Sequence, residues 1–182
     1  MDDVRSWASG ALTRRLTAAA CVLAAGLALG GCTTPEPESV TPTPTNYEQL
    51  AVEAVQRYLD VWSEISQDPS NADKNRIYQV AADYVATDAI GFWSDCSAKE
   101  WHLVGGPSII SVDSVQEGIS DGRGRRFHVH TCTDITGSYL VDASGNQVGR
   151  RGEDRKPTNY TVLVTQFNQF LVIEDRSEEG TC

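Results

Sequence analysis

His128-Val129-His130-Thr131-Cys132 is the densest run of chemistry-bearing side chains in the sequence. On an extended strand, alternation sets His128, His130 and Cys132 on one face about 6–7 Å apart, and two imidazoles with a thiolate suit Zn or Cu. A complete site needs a fourth ligand from elsewhere, such as Asp134 or His102. Arg126 shares the face, and a disulfide at Cys132 would remove the thiolate. The competing reading is two half-exposed histidines on a sheet, and on balance no metal and no cofactor is expected. Other catalytic signatures are missing: there is no GxSxG, no P-loop and no GxGxxG, and Gly122-Arg123-Gly124 falls in a charged turn rather than between a strand and a helix.

The chain has 182 residues, with 15 basic against 25 acidic and a formal net charge of -10. That fits one domain with an appendage. Such a surface repels a phosphate backbone, so no nucleic-acid partner is expected. The basic clusters Arg123, Arg125, Arg126 and Arg150, Arg151, Arg155, Lys156 read as loop charges that offset an acidic surface, contact with anionic headgroups near the tether being the alternative.

The appendage is an address. Arg14 and Arg15 precede an apolar run from Leu16 to Leu29, which ends in Leu29-Gly30-Gly31-Cys32. A charged start, an apolar stretch and small residues before a cysteine look like a bacterial lipoprotein signal with its lipobox. The run is shorter than the roughly 20 residues that span hydrocarbon. Residues 1–31 are therefore expected to be removed and Cys32 to be acylated, palmitate being one expected chain, on the extracytoplasmic face of the cell membrane. Removal takes two acidic and three basic residues, leaving 12 basic against 23 acidic. Residues 32–46, rich in Pro and Thr, read as a polar, extended tether.

The remaining domain, 47–182, changes period along its length. From an N-cap at Asn46, Tyr47, Leu50, Ala51, Ala54, Val55, Tyr58, Leu59 and Trp62 recur at helical spacing. A second stripe runs through Ile77, Val80, Ala81, Tyr84 and Val85, and a short third helix is predicted from Thr87 to Lys99. Gly105-Gly106-Pro107 closes the helical part. Period-two alternation then predicts strands at Ser108–Gly118, Arg126–Thr133, Ser138–Asp142, Tyr160–Phe167 and Phe170–Asp175, with a charged loop from Gly149 to Pro157. Helices first and a strand meander afterwards is an α+β order, with the N-terminal helices packed on one face of a curved antiparallel sheet.

This order resembles the NTF2-like cone, and more narrowly the uncharacterised NTF2-like lipoproteins of actinobacteria. The residues carrying the resemblance are Trp101-His102-Leu103-Val104-Gly105, His130-Thr131-Cys132-Thr133-Asp134, the Asp142-Ala143-Ser144-Gly145 turn, Phe170-Leu171-Val172 and Thr181-Cys182. With Cys21 removed and Cys32 acylated, Cys96, Cys132 and Cys182 remain, and three pairings are possible. In the meander Cys132 ends one strand and the last strand returns to the same edge, which favours Cys132–Cys182, as does the resemblance; Cys96 is then a free, buried thiol.

The resemblance implies a concave pocket, for which Tyr58, Trp62, Tyr84, Phe92 and Trp93 are candidate walls, unless these rings simply fill the core. It also implies that an enzyme on this fold would hold an Asp or His pair, or a Tyr with an acid, inside the cone; Asp113, His128, His130 and Tyr139 are the candidates, and no spacing singles out a dyad. The expected function is a non-catalytic, membrane-anchored lipoprotein that binds an envelope protein partner or a small apolar ligand. The alternatives are an extracytoplasmic enzyme or metal-binding module using the His128/His130 face, or a mobile-element envelope exclusion lipoprotein.

Overall fold

The computed structural model describes residues 44–149 and 154–182. The signal sequence, Cys32 and the tether up to residue 43 lie outside the described residues, as do Arg150 and Arg151.

The first amphipathic stripe forms α1, Pro44–Gln67, beginning two residues ahead of the Asn46 cap. Proline suits a first helical position because its missing N–H would have no intrahelical partner. One face buries Ala51, Ala54, Val55, Tyr58, Leu59 and Ile65, and the other exposes Glu53, Arg57, Asp60 and Glu64. None of the described helices is long and apolar enough to cross a membrane.

The next two predicted helices need correction. Lys74–Gln79 is a 3-10 turn capped by the Asp73 side chain, and α2 runs from Asp83 to Ala98. The stripe from Ile77 to Val85 is therefore not one helix. It breaks because Ala82 is extended and the backbone at Val80 and Ala82 bonds both sides of Val172, with Ala82 N–H donating to the Val172 carbonyl and Val172 N–H donating to Val80, each at 2.9 Å. Those bonds cover what would otherwise be an open sheet edge.

Seven strands follow: β1 (His102–Val104), β2 (Ser108–Glu117), β3 (Gly124–Asp134), β4 (Tyr139–Val141), β5 (Gln147–Val148), β6 (Arg155–Thr165) and β7 (Phe170–Ser177). They form two antiparallel sheets, a four-stranded one in the order β2-β3-β6-β7 and a three-stranded one in the order β1-β4-β5. The chain is thus α+β, with its helices at the N-terminal end. The single predicted sheet is corrected to two because Tyr139–Val141 pairs with His102–Val104 rather than continuing the meander. The segment predicted as a loop up to Pro157 is already strand from Arg155, since β6 pairs with all of β3 from Gly124 to Asp134. Gly105, between β1 and β2, sits at φ +76°, and a side chain there would press within 2.8 Å of the Gly137 carbonyl oxygen.

The core lies between the helices and the inner face of the larger sheet, where Phe127, Val129, Val162, Val164 and Val172 meet α1 and α2. Cys132 and Cys182 are bonded to each other across 50 residues, and Cys96 is free and buried. The register explains the pairing: β3 sets Cys132 opposite Pro157, and Glu178 N–H donates to the Pro157 carbonyl at 2.8 Å, bringing the chain end to the same place.

Candidate functional site

Along β3 and β6, alternate residues point toward the helices. This inner set includes Thr131 and Thr133 on β3, with Thr158 and Tyr160 on β6, all buried. On β7 the alternation is reset. Val162 pairs with Val172 and Thr161 pairs with Glu174, so Ile173 is an extra residue, a β-bulge. Beyond it Asp175 pairs with Tyr160 and Ser177 with Thr158, and these two polar side chains join the inner set.

The result is a half-open cleft of about 220 Å³ between α1 and the sheet. Tyr58 and Trp62 of α1 face Tyr160 and Thr133, while Asp175 and Ser177, both exposed, stand at the rim with Pro107. Tyr58 and Tyr160 are only 4% and 3% exposed, and their rings meet edge to face at 6.3 Å. The Tyr58 hydroxyl donates to Asp175 Oδ2 at 2.6 Å, while the Tyr160 hydroxyl is 3.5 Å from Thr133 Oγ1.

These surroundings set the charge state. Burial, and then the adjacent Asp175 carboxylate, hold the Tyr58 phenol far above the ordinary tyrosine range. Burial pushes Tyr160 up to about 12. Burial also raises the Asp175 carboxyl above its ordinary value, against the Tyr58 hydrogen bond, which favours the charged form. Tyr58 is therefore a fixed hydrogen-bond donor rather than a proton shuttle near neutrality.

The described fold is similar to the intermembrane space region of the chloroplast protein ARC6, with a TM-score of 0.54 and 13% identity, over 71% of this chain and 95% of that one. At that identity the likeness shows the fold alone. No protein-family model matches the chain, and no curated protein matches its sequence.

Of the five predicted pocket walls, Tyr58 and Trp62 line the cleft, and Phe92 lines a recess that adjoins it. Trp93 is corrected to core: it is 0% exposed and its indole N–H donates to Ser66 Oγ at 2.8 Å. Tyr84 is corrected to surface: it sits in the first turn of α2 and is 45% exposed, because the break at Ala82 rotates it off the buried face.

His128 and His130 share a face as alternation requires, but it is the outer one, away from the cleft. They line a separate groove with Thr161, Glu174 and Arg176. His128 Nδ1 lies 3.2 Å from Thr161 Oγ1, whose hydroxyl donates to Glu174, and Cys132 is engaged in the disulfide. Among the described residues no group of three or more His, Cys, Asp or Glu side chains is placed to hold a metal. The two proposed fourth ligands are elsewhere: Asp134 accepts from Thr136 and pairs with Arg155 at 3.4 Å, and His102 is on β1 in the other sheet. Asp113 occupies an irregular register of the exposed strand β2 and accepts from Ser111, and Tyr139 is on β4, so neither reaches the cleft.

In the first basic cluster Arg125 is corrected from loop to strand, since β3 begins at Gly124 and so holds Arg125 as well as the predicted Arg126. Each arginine has an acidic partner: Arg123 with Asp83 at 2.7 Å, Arg125 with Glu117 at 2.8 Å, and Arg126 with Asp121. Arg125 also lies over the Tyr47 ring at 4.3 Å. In the second cluster Arg155 and Lys156 are in β6, and Lys156 pairs with Asp154.

Proposed function

We propose that the chain is an extracytoplasmic lipoprotein of NTF2-like type, anchored to the cell membrane through Cys32, whose cleft binds a small, largely apolar molecule. The observation that carries this reading is the cleft itself: aromatic walls from Tyr58, Trp62 and Tyr160, left open to the surface, with Asp175 and Thr133 among the polar residues that line it. An apolar recess with a few convergent polar groups is the usual form of a ligand site. The fold order and the lipobox motif support the anchor and the domain type. Catalysis has less support, because Tyr58 and Tyr160 are held protonated and, among the described residues, no second carboxylate or imidazole lines the cleft with Asp175.

Two experiments test it. The chain beginning at Thr33, which carries no acyl group, binds the neutral fluorophore Nile red saturably and one to one; Ser177→Trp, which sets an indole at the rim, weakens binding by about tenfold or more. Unsaturable binding, or equal binding by the variant, counts against the cleft. In cells, Cys32→Ser loses incorporation of an alkynyl palmitate analogue and no longer fractionates with membranes, whereas retention of the label contradicts the anchor.

A further inference from the structure

Two connections close the same end of the larger sheet. Residues 118–123 join β2 to β3 and residues 166–169 join β6 to β7, and Gly124, where β3 starts, pairs with Thr165, where β6 ends. The first helix enters the domain at this end too. Tyr47, in the first turn of α1, shares one surface depression with Asp121 and Gly122 of the first connection and with Gln166 and Asn168 of the second, and its ring stacks on Phe127 of β3 at 6.2 Å.

Each connection carries one large apolar side chain that the fold does not use. Ile119 is 89% exposed and Phe167 77%, the two highest values for large hydrophobic side chains among the described residues. The turn chemistry is supplied by their polar neighbours: Asp121 accepts from the Arg123 N–H at 2.8 Å, and Asn168 takes the left-handed backbone at φ +58°. A single exposed apolar residue is ordinary on a protein surface. Here two stand on neighbouring connections, at the end where the chain arrives from Cys32.

We infer that this end of the domain faces the bilayer, with Ile119 and Phe167 entering the boundary between headgroups and acyl chains. The inference rests on the Cys32 anchor proposed above and adds which face of the domain meets the membrane. Cys32 lies 12 residues before Pro44, and at about 3.3–3.6 Å per residue that length keeps the start of α1 within about 40 Å of the anchor. Confinement by so short a link gives an effective concentration in the millimolar range, so two apolar contacts suffice where an untethered protein needs a larger patch. Charge agrees with this orientation. At this end Arg123, Arg125 and Arg126 are paired with Asp83, Glu117 and Asp121, which spares it part of the repulsion that the acidic remainder of the domain meets at an anionic membrane surface.

The test uses the full-length chain, purified from membranes and reconstituted into vesicles of phosphatidylcholine and phosphatidylglycerol. Ile119→Cys and Phe167→Cys each receive an environment-sensitive fluorophore. Ile110→Cys is the reference, because it is exposed near the opposite end of β2 and controls for the dye's own affinity for lipid. The parent chain, whose free Cys96 is buried, is the labelling blank. Dyes at 119 and 167 are expected to shift to shorter wavelength and to be quenched about twofold or more by lipids with a doxyl group near the top of the acyl chain, while the dye at 110 is quenched by aqueous iodide instead. Dyes at 119 and 167 that stay open to iodide while the chain floats with the vesicles overturn the inference and leave the anchor standing. Dyes that become dry without quenching by the doxyl lipid mark a protein contact, a second copy included, and overturn it as well, as does equal lipid quenching at 110. If the chain does not float with the vesicles, the inference falls, and the alkynyl palmitate experiment decides the anchor by itself.

Discussion

Cys132→Ser/Cys182→Ser melts at least about 10 °C below the parent chain and unfolds at visibly lower urea. The bond closes a loop of 50 residues, and in the chain-entropy model a closure of that length is worth about 4 kcal/mol through the unfolded state. For a domain of this size that is about 10 °C or more. Locally little else secures the chain end. Past Ser177 the residues are exposed, and the backbone bond from Glu178 to Pro157 and the contact of its side chain with Asn159 are what tie them to β6. The same loss is expected on reducing the parent, read by circular dichroism with and without dithiothreitol. An unchanged midpoint on reduction would show that the strands alone hold β3, β6 and β7 in register.

Trp93→Ala is expected to cost about 4 kcal/mol, read as a drop in the urea midpoint with little change in slope. Trp93 is the largest of the fully buried side chains, and it stands between α2 and α1. Its indole N–H reaches Ser66, whose hydroxyl in turn donates to the Trp62 carbonyl at 2.7 Å. Truncation therefore leaves a cavity and an unused acceptor behind the helical segment that carries Trp62 toward the cleft. Trp93→Phe keeps most of the volume and is expected to lose only about half as much. A cost near 1 kcal/mol for the alanine variant would place Trp93 in a cleft wall, as the resemblance implied, instead of in the core.

The contrast between Trp93 and Asp175 shows what periodicity carries and where it stops. Period 3.6 correctly marked Tyr58 and Trp62 as inward and wrongly marked Tyr84, which is exposed; Phe92 and Trp93 entered as pocket walls through the resemblance, and which rings meet open space depends on how far α1 and α2 stand apart. Period two placed His128 and His130 on one strand face correctly and was silent on which side the helices cover. Asp175 was invisible for a different reason. Strict alternation from Phe170 and Val172 sets Glu174 inside and Asp175 outside, and the extra residue at Ile173 exchanges them. A bulge has no strong signature in the run Phe170-Leu171-Val172-Ile173, so nothing in the sequence set Asp175 beside Tyr58. Backbone pairing likewise broke the Ile77–Val85 stripe: the bonds at Val80 and Ala82 go to β7, more than 80 residues later in sequence, and local spacing carries no trace of them. The disulfide was legible because it depends on strand direction and chain end, which survive errors in register.

If the cleft holds a small molecule, the protein as the cell makes it carries that molecule's mass. Native mass spectrometry of the full-length chain, extracted from membranes under mild conditions, is expected to show a species heavier than the acylated polypeptide by one small molecule, absent from Ser177→Trp. A chain recovered only at its own acylated mass, together with a polypeptide crosslinked to its surface, would contradict a ligand-binding cleft and make the domain a docking module.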